Sequence, residues 1–249
     1  MTNAFTRKLS RFVDFDDEEI AVLERLSFNP QPRERHHDLM RQGERPGHLN
    51  LLLSGWAYRY KVLKGGERQI VAYLIPGDVC DLHGSLLNEM DHNIGLLTDA
   101  EVVTIPAEDM HAAMEQHRSI ERALWCATLV DEAILREWLT NMGQRDAFSR
   151  VGHHFCELWH RMRSVGLVNE HDQFDLPLTQ EVLGDALGLT SVHINRTLKR
   201  LREEGFIAMH NRRLTILDPN GLMKITGFDP AYLHLGEPPA SSDQQSGSG

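Results

Sequence analysis

Residues 178–206 read LTQEVLGDALGLTSVHINRTLKRLREEGF. The side chains most able to read another molecule's polar edges lie in its second half. At 100° per residue, with Ile194, Leu198 and Leu201 as the buried side, the opposite side carries Val192, Arg196, Lys199 and Arg200. Ser191, His193 and Asn195 fall on the flanks. The chemistry this pattern offers is recognition. An Arg fork donates two parallel hydrogen bonds to guanine, and an aliphatic group meets a thymine methyl. Lys199 and Arg200, further along, suit phosphate oxygens.

Such a helix needs elements to position it. Thr179 is placed to cap a preceding helix with the stripe Val182, Leu183, Ala186 and Leu187, and Gly188 supplies its tight stop. Thr190 or Ser191 caps the second helix. Two short helices joined through a Gly turn form a helix-turn-helix. Phe206 to His210 then reads as a strand, Asn211-Arg212-Arg213 as a turn and Leu214 to Leu217 as a second strand. Arg212 and Arg213 at this tip suit phosphate contact, so the hairpin is a basic wing. A merely solvated helix pair would share the apolar stripe. It would not need the Gly turn, the exposed Arg and the basic wing together. The segment predicts binding of double-stranded DNA.

The rest of the chain is read around this unit. Its 249 residues, 41% hydrophobic and 25% charged, suit a soluble globular protein of about two domains. No apolar run approaches the roughly 18 residues of a membrane span, and residues 1–12 show no secretory apolar core. Cys80, Cys126 and Cys156 are few and scattered, which predicts a reducing, cytoplasmic setting. The fourteen histidines have no fixed ligand spacing, and no nucleophile elbow or phosphate loop is visible, so neither a metal site nor an enzyme is expected.

Residues 36–106 read as β, with recurrent Gly and Pro between short apolar runs and a hairpin turn at Lys64-Gly65-Gly66-Glu67. Residues 107–142 hold no Gly or Pro, and Ile120, Ala123, Leu124, Ala127, Val130, Ile134, Trp138 and Met142 recur at helical spacing. Trp125, Cys126, Leu129, Leu135 and Leu139 widen that stripe until it needs burial on two sides. One side suits the β unit and the other a second copy of the chain. Gly143 marks the expected break, a second helix follows over Phe148 to Met162, and Val165 to Asp175 reads as a loop.

The expected fold is α+β: an N-terminal antiparallel, jelly-roll-like β-roll (1–117), a long dimerisation helix (118–143), a winged helix-turn-helix (144–235) and a disordered tail (236–249).

This order resembles the CRP/FNR family of bacterial transcription regulators over about residues 20–225. The match is strongest in TQEVLGDALGLTSVHINRTLKRLREEGFI at 179–207 and weaker in the β-roll glycines and the PGD at 76–78. The resemblance implies a homodimer on a two-fold symmetric DNA site and a contact with RNA polymerase. By position, Arg196 matches the family's guanine-reading Arg. Thr179 and Thr190 match phosphate-contacting positions, and Gln180 and Ser191 match basic residues that touch DNA. Where the family has a base-reading Glu this chain has Val192, and His193 and Asn195 also differ, so the half-site should differ.

The effector positions depart further. The family's ribose-holding Gly-Glu-Leu reads Asp81-Leu82-His83 here, and its phosphate-holding Arg-Ser reads His92-Asn93. With no Arg there to fork a phosphate and Asp81 nearby, cAMP is not expected as a ligand. The iron–sulfur branch needs cysteines before Cys80 and none exists. Cys80 and His83 echo a haem-sensing branch, with the Cys one position out of place. Haem or redox sensing through this pair is the alternative to a regulator with no cofactor. Cys126 and Cys156 read as packing residues on helices.

The net charge of −10 argues against DNA only as an average. Residues 191–213 carry six Lys/Arg against two Asp/Glu. Distant acidity is screened over about 10 Å in 0.1 M salt. Replacing Val192 by Ala should relax preference at one base step of the half-site. Binding-site selection that returns the wild-type preference would show that Val192 reads nothing.

Overall fold

The computed structural model describes residues 2–82 and 89–235. The expectations for His83 and for the tail 236–249 lie outside these residues. The chain opens with α1 (Ala4–Leu9), α2 (Asp17–Leu26), β1 (Gln31–Arg33), β2 (Asp38–Met40), β3 (His48–Ser54), β4 (Ala57–Val62) and β5 (Arg68–Leu74). It continues with β6 (Asn93–Leu96), β7 (Ala100–Pro106), α3 (Ala107–Gln116), α4 (Arg118–Gln144) and α5 (Ala147–Ser164). The last third holds β8 (Gln173–Asp175), α6 (Gln180–Leu187), α7 (Ser191–Glu203), β9 (Ile207–His210), β10 (Arg213–Ile216), α8 (Pro219–Thr226) and a 3-10 turn, Pro230–Leu233.

The N-terminal strands form two antiparallel sheets, ordered β1-β7-β3 and β2-β6-β4-β5. The inner faces enclose a small apolar core of Met40, Leu52, Ala57, Leu74, Cys80, Met90, Ile94, Leu96, Ala100 and Val102. The hairpin expected at 64–67 joins β4 to β5, and the Leu63 amide donates to the Glu67 carbonyl at 2.8 Å. A larger apolar cluster runs from α1 and α2 through α4 and α5 into α6 and α7. The β-roll and the helical third therefore share one core.

α4 buries Ile120, Ala123, Leu124, Val130, Ile134 and Trp138. Trp125, Leu129, Leu135 and Leu139 on its other side are 45% to 69% exposed. The wide stripe is thus split, as its width required, with one face packed within the chain and one open.

Three expectations are corrected. Residues 1 to about 30 read as a polar lead with a short helical pattern at Ile20, Leu23 and Leu26, but the stretch before residue 17 is folded as well. It contains α1, capped by Asn3, whose side chain accepts from the Thr6 amide at 3.0 Å. Six residues cannot hold a helix in water alone, and burial of Phe5 and Leu9 stabilises this one. The helix also does not break at Gly143. It runs to Gln144, and the break is Arg145, extended at φ −92° and ψ 143°. The next start is set by Asp146, which caps α5 by accepting from the Ser149 amide at 2.8 Å. One Gly costs a helix only about 1 kcal/mol, less than the flanking turns supply. Finally, the segment taken as loop contains β8, which pairs with β10 and buries Phe174. Three residues are too few for alternation to show.

α5 carries the most unusual buried groups. His153 and His154 are both buried, and His154 packs edge-on against Trp138 and beside Tyr73, at 4.9 and 5.4 Å between ring centres. Neither ring nitrogen of His154 has a hydrogen-bond partner among the described residues. Burial therefore lowers its pKa from 6.5 to about 3. Its imidazole is neutral in the folded chain and takes a proton on unfolding. This contribution to stability is whole above pH 6.5 and is lost as pH falls from there toward 3. At pH 5 the loss is about 2 kcal/mol. Denaturant unfolding of His154→Phe should fall less steeply between pH 6.5 and 5 than that of the wild type. Equal slopes would show that His154 does not titrate on unfolding.

Candidate nucleic-acid interface

The helix-turn-helix is assembled by local capping. The Thr179 hydroxyl accepts from the Val182 amide at 3.2 Å and the Thr190 hydroxyl from the His193 amide at 3.3 Å. Thr190, not Ser191, is thus the cap of α7. Gly188 ends α6 in the left-handed region at φ +63°, where glycine carries no steric penalty. At Gly184 a Cβ would stand 2.5 Å from the Leu189 carbonyl oxygen, so the turn closes over a site that only glycine fits.

α7 buries Ile194, Thr197, Leu198 and Leu201. Thr179, Gln180, Thr190, Ser191, Val192, His193, Asn195, Arg196, Lys199, Arg200, Arg212 and Arg213 are all exposed. Val192 is 74% exposed, high for an aliphatic residue. Arg196 and Arg212 have no ion-pair partner among the described residues. The other cations are engaged. Lys199 lies 3.6 Å from Glu203, and Arg200 lies 2.6 Å from Glu204 with its guanidinium 4.1 Å over the Phe148 ring. Both ion pairs are exposed and open at little cost.

The wing is corrected by one residue. The turn is Asn211-Arg212, both in the left-handed region at φ +49° and +59°, the geometry of a two-residue hairpin turn. Arg213 lies in β10, paired with Asp175 at 2.9 Å. Only Arg212 stands at the tip. Its carbonyl is pinned by the Leu176 amide at 2.7 Å.

A cleft of about 480 Å³ opens between the β-roll and α4. Of the four residues suggested for an effector, Leu82 and His92 line it. Asn93 does not; its side chain accepts from the Gln42 amide at 3.0 Å and donates to the Tyr60 carbonyl at 3.4 Å. His83 lies outside the described residues. The cleft is mostly apolar, and each of its cations faces a carboxylate. Arg59 meets Asp131 of α4 at 3.1 Å and donates from Nε to the Cys80 carbonyl at 2.8 Å. Lys61 meets Asp91 at 3.5 Å, Lys8 pairs with Asp78, and Arg161 reaches Asp78 at 3.3 Å. His92 Nδ1 lies 2.6 Å from Asp91, and this bond holds the Asp91 carboxyl below its usual range. Cys80 is fully buried in the inner core, and burial pushes its thiol up to about 12. Cys156 is likewise buried, with its thiol at about 12.

Comparison with known proteins agrees with this architecture. Residues 31–117 match the cyclic nucleotide-binding domain and residues 149–225 the Crp-like helix-turn-helix domain, together about two thirds of the chain. The chain belongs to the CRP/FNR family of transcription regulators. Among curated relatives, the transcriptional activator FnrL of Cereibacter sphaeroides is 24% identical over 81% of each chain. The nitrogen fixation regulation protein FixK of Bradyrhizobium diazoefficiens is 28% identical over 68% of this chain and 69% of its own. The fold resembles that of FixK2 from Bradyrhizobium japonicum, with TM-score 0.70 and 22% identity over 79% of this chain and 96% of that one. A CRP family regulator from Thermus thermophilus gives 0.62 at 20% identity, over 79% and 96%. No helix among the described residues is long and apolar enough to cross a membrane.

Two positioning residues escaped sequence reasoning. Arg150 donates to the carbonyls of Met142, Arg145 and Leu187 at 2.8 to 2.9 Å. It thereby satisfies the open ends of α4 and α6 and sets the helix-turn-helix against the long helix. Phe148 is the platform under Arg200. Neither carries a local signal, because both act on distant partners.

The wing tip yields a separable test. Arg212→Gly removes a charge and also relieves a left-handed Arg, which costs roughly 1–2 kcal/mol. Thermal stability should hold or rise, while DNA affinity falls and the salt dependence shallows by about one counterion. An unchanged salt slope would place the tip away from phosphate.

Proposed function

We propose that this chain is a homodimeric transcription regulator that reads a two-fold symmetric DNA site and uses no cyclic nucleotide. The observation that carries the reading is the exposed face of α7, where Val192 and the unpaired Arg196 stand clear beside Ser191, His193 and Asn195. Arg196 forks onto a guanine, and Val192 meets a thymine methyl where relatives would accept from cytosine. The two cap hydroxyls use a lone pair within the helix, so their O–H is free to donate to a phosphate oxygen. Gln180 and Ser191, at the first turns of α6 and α7, add donors beside helix N-termini, which favour anions. Lys199, Arg200 and Arg212 neutralise backbone charge.

The open face of α4 supports the dimer: Trp125, Leu129, Leu135 and Leu139 form a stripe that a second α4 would cover. Two α7 helices then enter successive major grooves about one helical turn apart. RNA polymerase is the expected protein partner.

The cleft supports independence from cyclic nucleotides. A cyclic phosphate needs an available cation, and the lining cations are already matched by carboxylates. The buried Cys80 thiol supports packing over haem ligation or redox sensing, since the thiolate is the form that binds and reacts. We therefore assign no cofactor.

Selection of DNA from a random pool should enrich a two-fold symmetric sequence with the wild type. Arg196→Ala should lose about ten- to a hundred-fold in affinity and one base preference per half-site. Enrichment of nothing, or of sites without symmetry, would overturn the reading.

A further inference from the structure

Two described segments that lie beyond those matched to the family domains, 31–117 and 149–225, namely α1 and the 3-10 turn Pro230–Leu233, both pack onto one place. From the N-terminus, α1 lies across the Pro76-Gly77-Asp78 turn. A Cβ on Gly77 would stand 2.5 Å from the Ala4 carbonyl oxygen. The Lys8 ammonium pairs with Asp78, and Arg11 donates to the Ser164 hydroxyl of α5 at 2.6 Å. From the 3-10 turn, the Tyr232 hydroxyl donates to Glu157 of α5 at 3.0 Å, and Leu233 is fully buried.

Arg161 joins these two anchor points. It reaches Asp78 at 3.3 Å, Glu157 at 3.4 Å and the Tyr73 carbonyl at 2.8 Å. Glu157 also accepts from the Trp138 indole of α4 at 3.0 Å. Asp78 and Glu157 are buried, and a buried carboxylate is tolerated only where its donors are all in place. The cluster therefore admits one arrangement of α1, α4, α5 and the 3-10 turn, not a continuum. Beyond it, α6 is fastened to β5. Arg68 pairs with Asp185 at 2.7 Å, Gln69 donates to the Asp185 carbonyl at 2.7 Å, and the Tyr73 hydroxyl donates to the Val182 carbonyl at 3.0 Å. The α4–α5 joint is the pair of extended residues Arg145 and Asp146, a point about which the helix-turn-helix would otherwise swing. In the fastened arrangement the recognition face of α7 stays open.

We propose that α1 and the 3-10 turn, the outermost helical segments at the two ends of the described residues, form a clamp, closed on Asp78, Arg161 and Glu157, that holds the helix-turn-helix on the β-roll in its DNA-presenting pose. The clamp presets the pose without a small-molecule effector. This rests on the DNA-binding reading above.

The test uses two full-length proteins, wild type and Tyr232→Phe, and two shortened ones, a chain ending at Phe228 and a control ending at Leu235. Tyr232→Phe keeps the ring and removes only the donor to Glu157. Two measurements are made, with nothing but buffer added: amide hydrogen exchange of residues 147–187 without DNA, and affinity for the selected DNA site. The control should match the wild type. Tyr232→Phe should exchange faster in α5 and α6 and bind about ten-fold more weakly, the scale of one hydrogen bond to a charged group. The chain ending at Phe228 should lose more in both. Exchange and affinity unchanged in Tyr232→Phe would overturn the clamp, as would tighter binding after truncation. So would a wild type that binds only once cAMP is added. If the truncated chain does not fold, Tyr232→Phe decides alone. If the wild type binds no DNA, the functional reading fails, and the exchange comparison still decides whether the ends hold α5 and α6.

Discussion

The guanidinium of Arg161 sits where the two halves of the chain meet, buried among Asp78, Glu157 and the Tyr73 carbonyl. A cation in such a place is tolerable only while the carboxylates face it, and they in turn need Lys8, Trp138 and Tyr232. Most of the tertiary arrangement follows from that mutual requirement. The β-roll supplies Asp78 through its PGD turn, the long helix supplies Trp138, and α5 supplies the pair Glu157 and Arg161. Around it the apolar cluster continues without a break, so the sensor-like half and the helix-turn-helix pack as one body. The buried polar cluster adds geometric definition to that body, since apolar packing alone tolerates small slides.

The recognition unit obeys a different logic. Its local shape comes from neighbours within 30 residues: two threonine caps, a left-handed Gly188, a glycine-only contact at Gly184 and an apolar stripe. This leaves its outer face free of structural duty. Ser191, Val192, His193, Asn195 and Arg196 are therefore not constrained by the core, while Thr197 and Leu198 are. The cleft between β-roll and α4 shows the reverse allocation. Its charges are spent on joining elements, as Arg59 does by tying the Cys80 loop to Asp131 of α4. The charged side chains of the cleft thus brace the β-roll against α4.

Much of the fold was legible in the chain because its signals are periodic or local. The β4–β5 hairpin announced itself in Lys64-Gly65-Gly66-Glu67, the long helix in its unbroken spacing, and the helix-turn-helix in its caps. Local reading missed α1 and β8 because six and three residues carry too little pattern. It misplaced the end of the long helix because a lone Gly143 weakens a helix by only about 1 kcal/mol and need not end it.

The sequence by itself determined the longer elements and which face of α7 is exposed, since backbone propensity and side-chain period act within a few residues. Only the tertiary structure decided which charges remain free to act. Arg213 reads as the twin of Arg212 until β8 brings Asp175 beside it, 38 positions away. The pairs Lys8–Asp78, Arg59–Asp131 and Arg68–Asp185 span 70 to 117 positions. A charge's availability depends on what the fold places within a few ångströms of it, and Coulomb attraction depends on that spatial distance and on the dielectric around the pair. No spacing along the chain encodes it.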